Sequence, residues 1–346
     1  MSQPSIVVNL EPGALVGLRG RHYLDDQDYS VEELHLLLDL ALAIKAVRRR
    51  KRLTDFLPAA TLAMIFQEPS TRTRVSFEGA MTELGGHAQY LRPGEIHLPG
   101  RESVKDTAAV LSRLCDAIEA RTHTAEVIRE LAEWATVPVV NGMAGTWNHP
   151  VQSMTDMLTI REHVGGFEGL KLAFIGHGLS DPMTRSECVT ATRMGIDVAL
   201  ACPADDPASP ENEAIIAQNC SESGATFVRT DDPTEAVQNA DVVYTCLWWW
   251  MESEEEKRRL IEYYSPYQVN AALWEHTKPG ARFMHCLPAI RGQEVTDEII
   301  DAPFSIVLDE AENRKHFQKA LLLAVIGIDE LPDDPDLAKI GRALLA

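Results

Sequence analysis

Ala60-Thr61-Leu62-Ala63-Met64-Ile65-Phe66, broken at Pro69 and followed at once by Ser70-Thr71-Arg72-Thr73-Arg74, is the stretch on which the fold turns. A short, unbroken apolar run ended by proline reads as a buried strand, and the polar run behind it reads as the first turn of a helix starting near Ser70. Free backbone N–H groups at a helix N-terminus bind anions. Three hydroxyls and two guanidinium groups gathered there suit a phosphate better than ordinary capping does.

Outward from this stretch the pattern repeats. Upstream, residues 30–52 have helical spacing, with Leu34, Leu37, Leu38, Ala41 and Ile44 on one face and Ser30 and Glu33 placed as a capping box. The basic run Arg48–Arg52 closes that helix; a solvated, dipole-favoured helix end suits so acidic a chain better than a nucleic-acid patch. Downstream, residues 103–114 read as a helix, and Cys115–Ala120 and Val137–Val140 as strands. Asn141–Pro150 reads as a loop, and a helix runs from near His149 to His163. After Gly165-Gly166 a second series begins, with strands at Lys171–Ile175, Asp197–Ala201, Val242–Cys246, Arg282–His285 and Ser305–Leu308, then a helix over 310–327. Strands alternating with helices predict parallel sheets. The expectation is an α/β chain of two doubly wound parallel-sheet domains, 1–148 and 149–315. Bridging helices join them, the active site lies in the cleft, and residues 316–346 pack back on the first domain.

Composition narrows the function. With 32 basic and 52 acidic side chains in 346 residues, the formal net charge is -20. That charge disfavours nucleic acid and anionic membranes as partners and makes clustered arginines informative. No apolar run is long enough to span a membrane, and the opening residues lack a basic-then-apolar leader. Cysteines 115, 188, 202, 220, 246 and 286 are scattered, with no C-x-x-C pair, which points to reduced thiols in a cytoplasmic setting and not to a disulfide frame or a zinc site.

Three further constellations stand out: His149-Pro150-Val151-Gln152 at a helix start, His285-Cys286-Leu287-Pro288 with Arg291 at the end of a strand, and Asp309-Glu310-Ala311-Glu312-Asn313-Arg314. Taken singly, each has a structural reading: a capping histidine, a strand-end turn, a charged helix start. No partner at metal-ligand spacing accompanies His285 or Cys286. Gly176-His177-Gly178 follows a strand as a dinucleotide turn would, but Asp181 stands where the third glycine belongs, so a nicotinamide enzyme is disfavoured.

Together, S-T-R-T-R, H-P-x-Q, H-C-L-P and E-N-R, in this order and at these separations, resemble the aspartate/ornithine carbamoyltransferase family. The resemblance runs from the first helix to about residue 327. Phe77-Glu78, Leu84-Gly85-Gly86-His87, Tyr267-Gln268-Val269-Asn270 and Val295-Thr296-Asp297-Glu298 look like its ornithine and putrescine branches; residues 137–152 and 284–314 look especially like the putrescine branch.

The resemblance implies a carbamoyltransferase that needs no metal or cofactor and takes carbamoyl phosphate and a small amine. Ser70, Thr71, Arg72 and Thr73 would hold the phosphate. Arg121, His149 and Thr73 would hold the carbonyl oxygen; Gln152 and the backbone of Cys286-Leu287 would hold the amide, and Arg314 would complete the pocket. Arg101 would reach into a neighbouring subunit's site within a homotrimer. On the acceptor side the chain departs from the family. Cys246 stands where the ornithine branch has an aspartate, Trp250-Met251-Glu252 replaces its serine-methionine-glycine, and Thr184 aligns with its ornithine-binding asparagine. The putrescine branch keeps the aspartate. Glu252 would suit an acceptor ammonium and Arg185 a carboxylate. The expected acceptor is thus an amine other than ornithine, such as a putrescine-like diamine. The alternatives are an ornithine enzyme making citrulline and a catalytically idle binding relative.

Overall fold

A computed structural model describes residues 10–345 except 50–53, 93, 99, 146, 251 and 252. The chain divides into two compact units: Met1–Met154 with Asn313–Ala346, and Thr155–Glu312. Both divisions fall inside helices.

The first unit runs α1 (Val31–Arg49), β1 (Thr61–Phe66), α2 (Thr71–Glu83), β2 (His87–Leu91), α3 (Val104–Leu114), β3 (Ala117–Thr122), α4 (Ala125–Trp134), β4 (Val139–Ala144) and the start of α5 (Pro150–Val164). Its four strands are all parallel, in the order β2-β1-β3-β4. Ala63, Ile65, Ile118, Ala120 and Val139 pack on one face of that sheet against Ala108 of α3 and Ile128 and Leu131 of α4. Ser30 and Glu33 cap α1 reciprocally: each accepts from the other's backbone N–H, at 2.9 and 3.2 Å. Part of the basic run ending that helix lies outside the described residues.

The second unit runs β5 (Lys171–Ile175), α6 (Pro182–Arg193), β6 (Asp197–Ala201), α7 (Pro210–Ser223), β7 (Phe227–Thr230), α8 (Pro233–Val237), β8 (Val242–Thr245), α9 (Glu254–Tyr264), α10 (Ala271–Trp274), β9 (Arg282–Met284), α11 (Asp297–Ile300) and the first residues of α12 (Val307–Ile326). Its sheet is parallel, ordered β7-β6-β5-β8-β9. The remainder of α12 and α13 (Pro335–Gly341) belong to the first unit.

Two sequence readings need correction. Ser305–Leu308 is not a strand: Ser305 makes a single bridge to Phe283, and α12 already begins at Val307. Asn141–Ala144 is not loop but the end of β4, which carries a register slip at Gly142. Edge strands β2 and β7 escaped the sequence reading altogether.

Candidate active site

In each sheet the chain reverses direction of winding at one point, between β1 and β3 in the first unit and between β5 and β8 in the second. Loops at the carboxyl ends of such strands splay apart and leave room for ligands.

At the first of these points α2 begins. Ser70 is its N-cap in extended conformation and, among the described residues, makes no side-chain capping bond, so the first-turn amides keep their positive end outward. Thr73 is buried within that turn, and Ser76 below returns its hydroxyl to the carbonyls of Arg72 and Thr73 at 2.7 and 3.2 Å. Arg72 is half-buried. Arg74 turns away, stacking at 3.9 Å over Tyr90 and pairing with Glu78, so it serves the outer face of α2 and not the anion end. Arg121 sits one strand away, in register with Phe66 at the carboxyl end of β3, and is buried. Its carbonyl accepts from Gln67 N–H at 2.9 Å, which fixes the loop leaving β1 against β3.

His149 reaches the same place from the start of α5. Asn141 Nδ2 donates to Asn148 Oδ1 at 2.5 Å, and Asn148 Nδ2 donates to Asp25 Oδ2 at 3.0 Å, so the turn before His149 is pinned. The His149 carbonyl accepts from Gln152 and Ser153 N–H. Burial, then the positive fields of Arg314, Arg121 and Arg72, hold the His149 imidazole well below its ordinary pKa. The ring is neutral, and three guanidinium groups surround it.

Arg314 comes from α12. It donates to Thr73 Oγ1 at 2.7 Å and to Gln152 Oε1. The helix that carries it is anchored by Lys45 Nζ on Asn313 Oδ1 at 2.5 Å, and by Lys315 and Lys319 on Glu83 at 2.8 and 3.0 Å. The structure therefore joins Ser70–Thr73, Arg121, His149, Gln152 and Arg314 within one unit. Arg101 is exposed, ahead of α3, and is not among them.

Cys286 and Leu287 lie in the second unit. His285 Nδ1 accepts from Leu287 N–H at 2.8 Å, so its proton is on Nε2, which donates to Glu294 Oε1 at 3.2 Å. His285 thereby fixes the turn that presents the Cys286-Leu287 backbone; it is neither nucleophile nor ligand. Among the described residues no group of three or more His, Cys, Asp or Glu could hold a metal ion.

At the second reversal point the structure brings in a residue that the sequence reading weighed only against a dinucleotide turn. Asp181 caps α6, accepting on Oδ1 from Met183 N–H, Thr184 N–H and Thr184 Oγ1 at 2.9, 2.9 and 3.2 Å. Across from it Cys246 Sγ lies 4.0 Å from the same oxygen. Burial and then the Asp181 charge push the Cys246 thiol well above its ordinary pKa, so it is a neutral donor and the negative charge belongs to Asp181. An aspartate capping a helix is commonplace; only the neighbouring loop shows what it faces. Thr184 and Arg185 are buried. Of the tryptophans, Trp248 is in the core, Trp249 donates to Gln293 Oε1 at 2.8 Å, and Trp250 is 42% exposed. Glu252 lies outside the described residues.

Residues 21–162 match the family described as aspartate/ornithine carbamoyltransferase, carbamoyl-P binding domain, and residues 168–325 match its Asp/Orn binding domain. The chain is 46% identical over 315 residues to the anabolic ornithine carbamoyltransferase of Pyrococcus furiosus, covering 90% of this chain and 98% of that one. It is 43% identical over 316 residues to the ornithine carbamoyltransferase of Anoxybacillus flavithermus, covering 90% and 99%. The solved ornithine carbamoyltransferase structure from Pyrococcus furiosus superposes with a TM-score of 0.87 at 44% identity, over 90% and 99% of the two chains. A mitochondrial ornithine carbamoyltransferase from Coccidioides immitis gives 0.80 at 32%, over 93% and 99%. With two family domains matched end to end, and with the motif residues of the first gathered on one parallel sheet, the chain belongs to the aspartate/ornithine carbamoyltransferase family and is a carbamoyltransferase.

Proposed function

We propose that the chain moves the carbamoyl group of carbamoyl phosphate to an amine other than ornithine and releases phosphate. The observation that carries the first half is the set of three guanidinium groups, Arg72, Arg121 and Arg314, whose positive fields fall on a buried, neutral His149 at the start of α5. Ser70, Thr71, Arg72 and Thr73 hold the phosphate. Thr73, Arg121 and His149 donate to the carbonyl oxygen, Gln152 holds the amide, and the backbone of Cys286-Leu287 shares in holding it. A neutral amine attacks the carbonyl carbon. Charge grows on the oxygen and meets donors that are already oriented. The C–O bond to phosphate breaks, and the departing phosphate takes the amine's proton, so no protein base is needed. Positioning and electrostatics supply the acceleration.

The acceptor half rests on Cys246. It is a neutral thiol, so the ammonium-holding charge at the second reversal point is that of Asp181, set on the opposite loop. Moving the anion moves the acceptor's ammonium, and a putrescine-like diamine is the substrate class that asks least of a carboxylate-binding partner. Trp250 stands on the loop that follows Cys246, and Thr184 and Arg185 stand on α6; Glu252, a further acceptor-binding candidate, lies outside the described residues. The second reading, ornithine as acceptor and citrulline as product, is favoured by the names of the relatives. Phosphate release from carbamoyl phosphate, measured across ornithine, N-acylated ornithines, putrescine, other diamines and aspartate, tests both. Release stimulated most by ornithine would overturn the non-ornithine reading, and release by none of them would overturn both.

A homotrimer, with Arg101 entering the neighbouring copy's site, belongs to the same proposal. Val75 on α2 and Val110 and Leu114 on α3 are 63%, 51% and 68% exposed, an apolar set suited to burial against another copy. Mixing R101A with R72A protein tests it: recovered activity requires sites shared between subunits. The six free thiols suit a reducing, cytoplasmic setting, and among the described residues no helix is long and apolar enough to cross a membrane.

A further inference from the structure

Two of the thiols stand where neighbouring strands of the second unit end. β8 and β9 run parallel, and their pairing closes with Tyr244 opposite Met284. Two residues beyond that pair on each strand come Cys246 and Cys286. An even step keeps the two side chains on one face and level with each other. Neighbouring strands lie about 4.8 Å apart, inside the roughly 4.4–6.8 Å that the two Cα atoms of a disulfide span. The thiols also feel one another: after burial and the Asp181 charge, Cys286 is the next group that keeps Cys246 in its neutral form. Both are reduced.

Their access to solvent differs. Cys246 is buried, with its Sγ 4.0 Å from Asp181 Oδ1. Cys286 is half-buried, in the turn that His285 fixes by accepting from Leu287 N–H. One thiol is therefore open to a small reagent, and the other is sheltered beside a carboxylate that can take its proton. We propose that Cys246 and Cys286 are a peroxide-sensitive thiol pair that closes to a disulfide and reopens on reduction.

The chemistry balances with hydrogen peroxide as the oxidant. The Cys286 thiolate attacks one peroxide oxygen. An S–O bond forms, the O–O bond breaks, and hydroxide leaves and combines with the thiol's proton as water; Cys286 is now a sulfenic acid. The Cys246 sulfur then attacks the Cys286 sulfur while its proton passes to Asp181 Oδ1. The S–S bond forms, the S–O bond breaks, and the departing hydroxide takes that proton as a second water. The two sulfurs together lose two electrons, and the peroxide gains them. Reversible disulfides of this kind are the ones that occur in reducing compartments. The effect on activity rests on the reading of this loop as the acceptor side. The new bond ties the Cys286-Leu287 turn to the loop after β8 and consumes the thiol that lies against Asp181, so the place for the amine is lost.

The test treats the full chain with hydrogen peroxide, blocks the remaining thiols with iodoacetamide and digests with trypsin without reductant. Cleavage after Arg229, Lys257, Arg282 and Arg291 leaves each cysteine alone in its peptide, 230–257 and 283–291. The linked pair should appear, lighter than the sum of its parts by two hydrogen atoms, and should vanish with dithiothreitol. Phenylarsine oxide, which bridges two thiols only when they are close, should shield both peptides of the reduced wild-type protein from iodoacetamide at once, a measure that needs no variant. In C246S the sulfenic acid on Cys286 has no thiol to meet and should be trapped by dimedone. Oxidised Cys286 in the wild type without the linked peptide, or linked to a different cysteine, would overturn the pair and leave the acceptor reading standing. Amine-stimulated phosphate release should fall about 10²-fold in the oxidised protein, the cost of misplacing a reacting group by about 1 Å, and should return on reduction, with binding of inorganic phosphate kept. A linked peptide with undiminished release would overturn the regulatory role and the acceptor reading of this loop. Absence of amine-stimulated release from the reduced protein as well would overturn the reading of function alone, since the peptide map still decides the pair.

Discussion

One guanidinium joins three helices of the first unit: Arg314, on α12, donates to Thr73 Oγ1 on α2 at 2.7 Å and to Gln152 Oε1 on α5. Two donors in a planar fork fix both partners at once, which a lysine's single ammonium on a flexible stem does not reproduce.

R314K should therefore fold but lose about 3 kcal/mol of transition-state stabilisation, roughly 10²-fold in kcat/KM. Steady-state phosphate release measures this. Wild-type kcat/KM in R314K would show that charge alone, without the fork, is sufficient.

His149 is expected to stay uncharged across the working range. Its pKa is held well below the ordinary value, by burial first and then by Arg314, Arg121 and Arg72. Followed by nuclear magnetic resonance, its ring should show no protonation step between about pH 5 and pH 8, where ordinary histidines titrate. H149A should cost about 10² to 10³ in kcat through loss of one donor to the developing oxyanion.

D181N separates the two duties of Asp181. Asparagine caps a helix about as well as aspartate does, so α6 should hold and the melting temperature should change little. The negative charge is lost, and with it about 1.5 to 3 kcal/mol of charge-assisted bonding to an acceptor ammonium, or roughly 10- to 100-fold in the amine's KM. The KM for carbamoyl phosphate should not move. An unchanged amine KM would remove Asp181 from the acceptor site.

Glu83 sets part of the acid stability. Although burial opposes its charge, hydrogen bonds from Lys315, Lys319 and Arg48 prevail and lower its pKa to about 2. A carboxyl with a depressed folded-state pKa contributes stability that is complete above its unfolded value and is lost as pH falls through the folded one. That window runs from about pH 4.5 down to about pH 2. Lys319 behaves in the opposite sense. Burial lowers it to about 8, so it disfavours the folded state below that pH and is relieved as pH rises toward the value of the unfolded chain. E83Q should destabilise the protein by about 3 kcal/mol at neutral pH, since it leaves buried cations behind. Its urea midpoint, plotted against pH, should fall less than that of wild type in the acid window.

Much of the parallel architecture was readable because central strands such as β1, β5 and β6 are buried on both faces and hence are continuous apolar runs. The edge strands were not. β2 reads His87-Ala88-Gln89-Tyr90-Leu91 and β7 reads Phe227-Val228-Arg229-Thr230; both are partly exposed and resemble loops in composition. Ser305-Ile306-Val307-Leu308 misled in the other direction, since its apolar character belongs to a helix start that buries Ile306 and Val307 and not to a strand. At the site, the hydroxyl and arginine cluster after β1 could be read locally. The place of Asp181 opposite Cys246 could not: Cys246 stands 65 positions further along the chain and is brought near by strand order.

That long return of α12 bears on how the protein comes into being. The helix starts of α2 and α5 and the end of β3 all precede Met154 in the chain, but the guanidinium that binds Thr73 to Gln152 follows only at position 314. A ribosome-bound chain that has grown only as far as residue 154 has the start of α2 without its clasp. Because Arg314 arrives late, the clasp on Thr73 and Gln152 closes only after the residues of the second unit have been made.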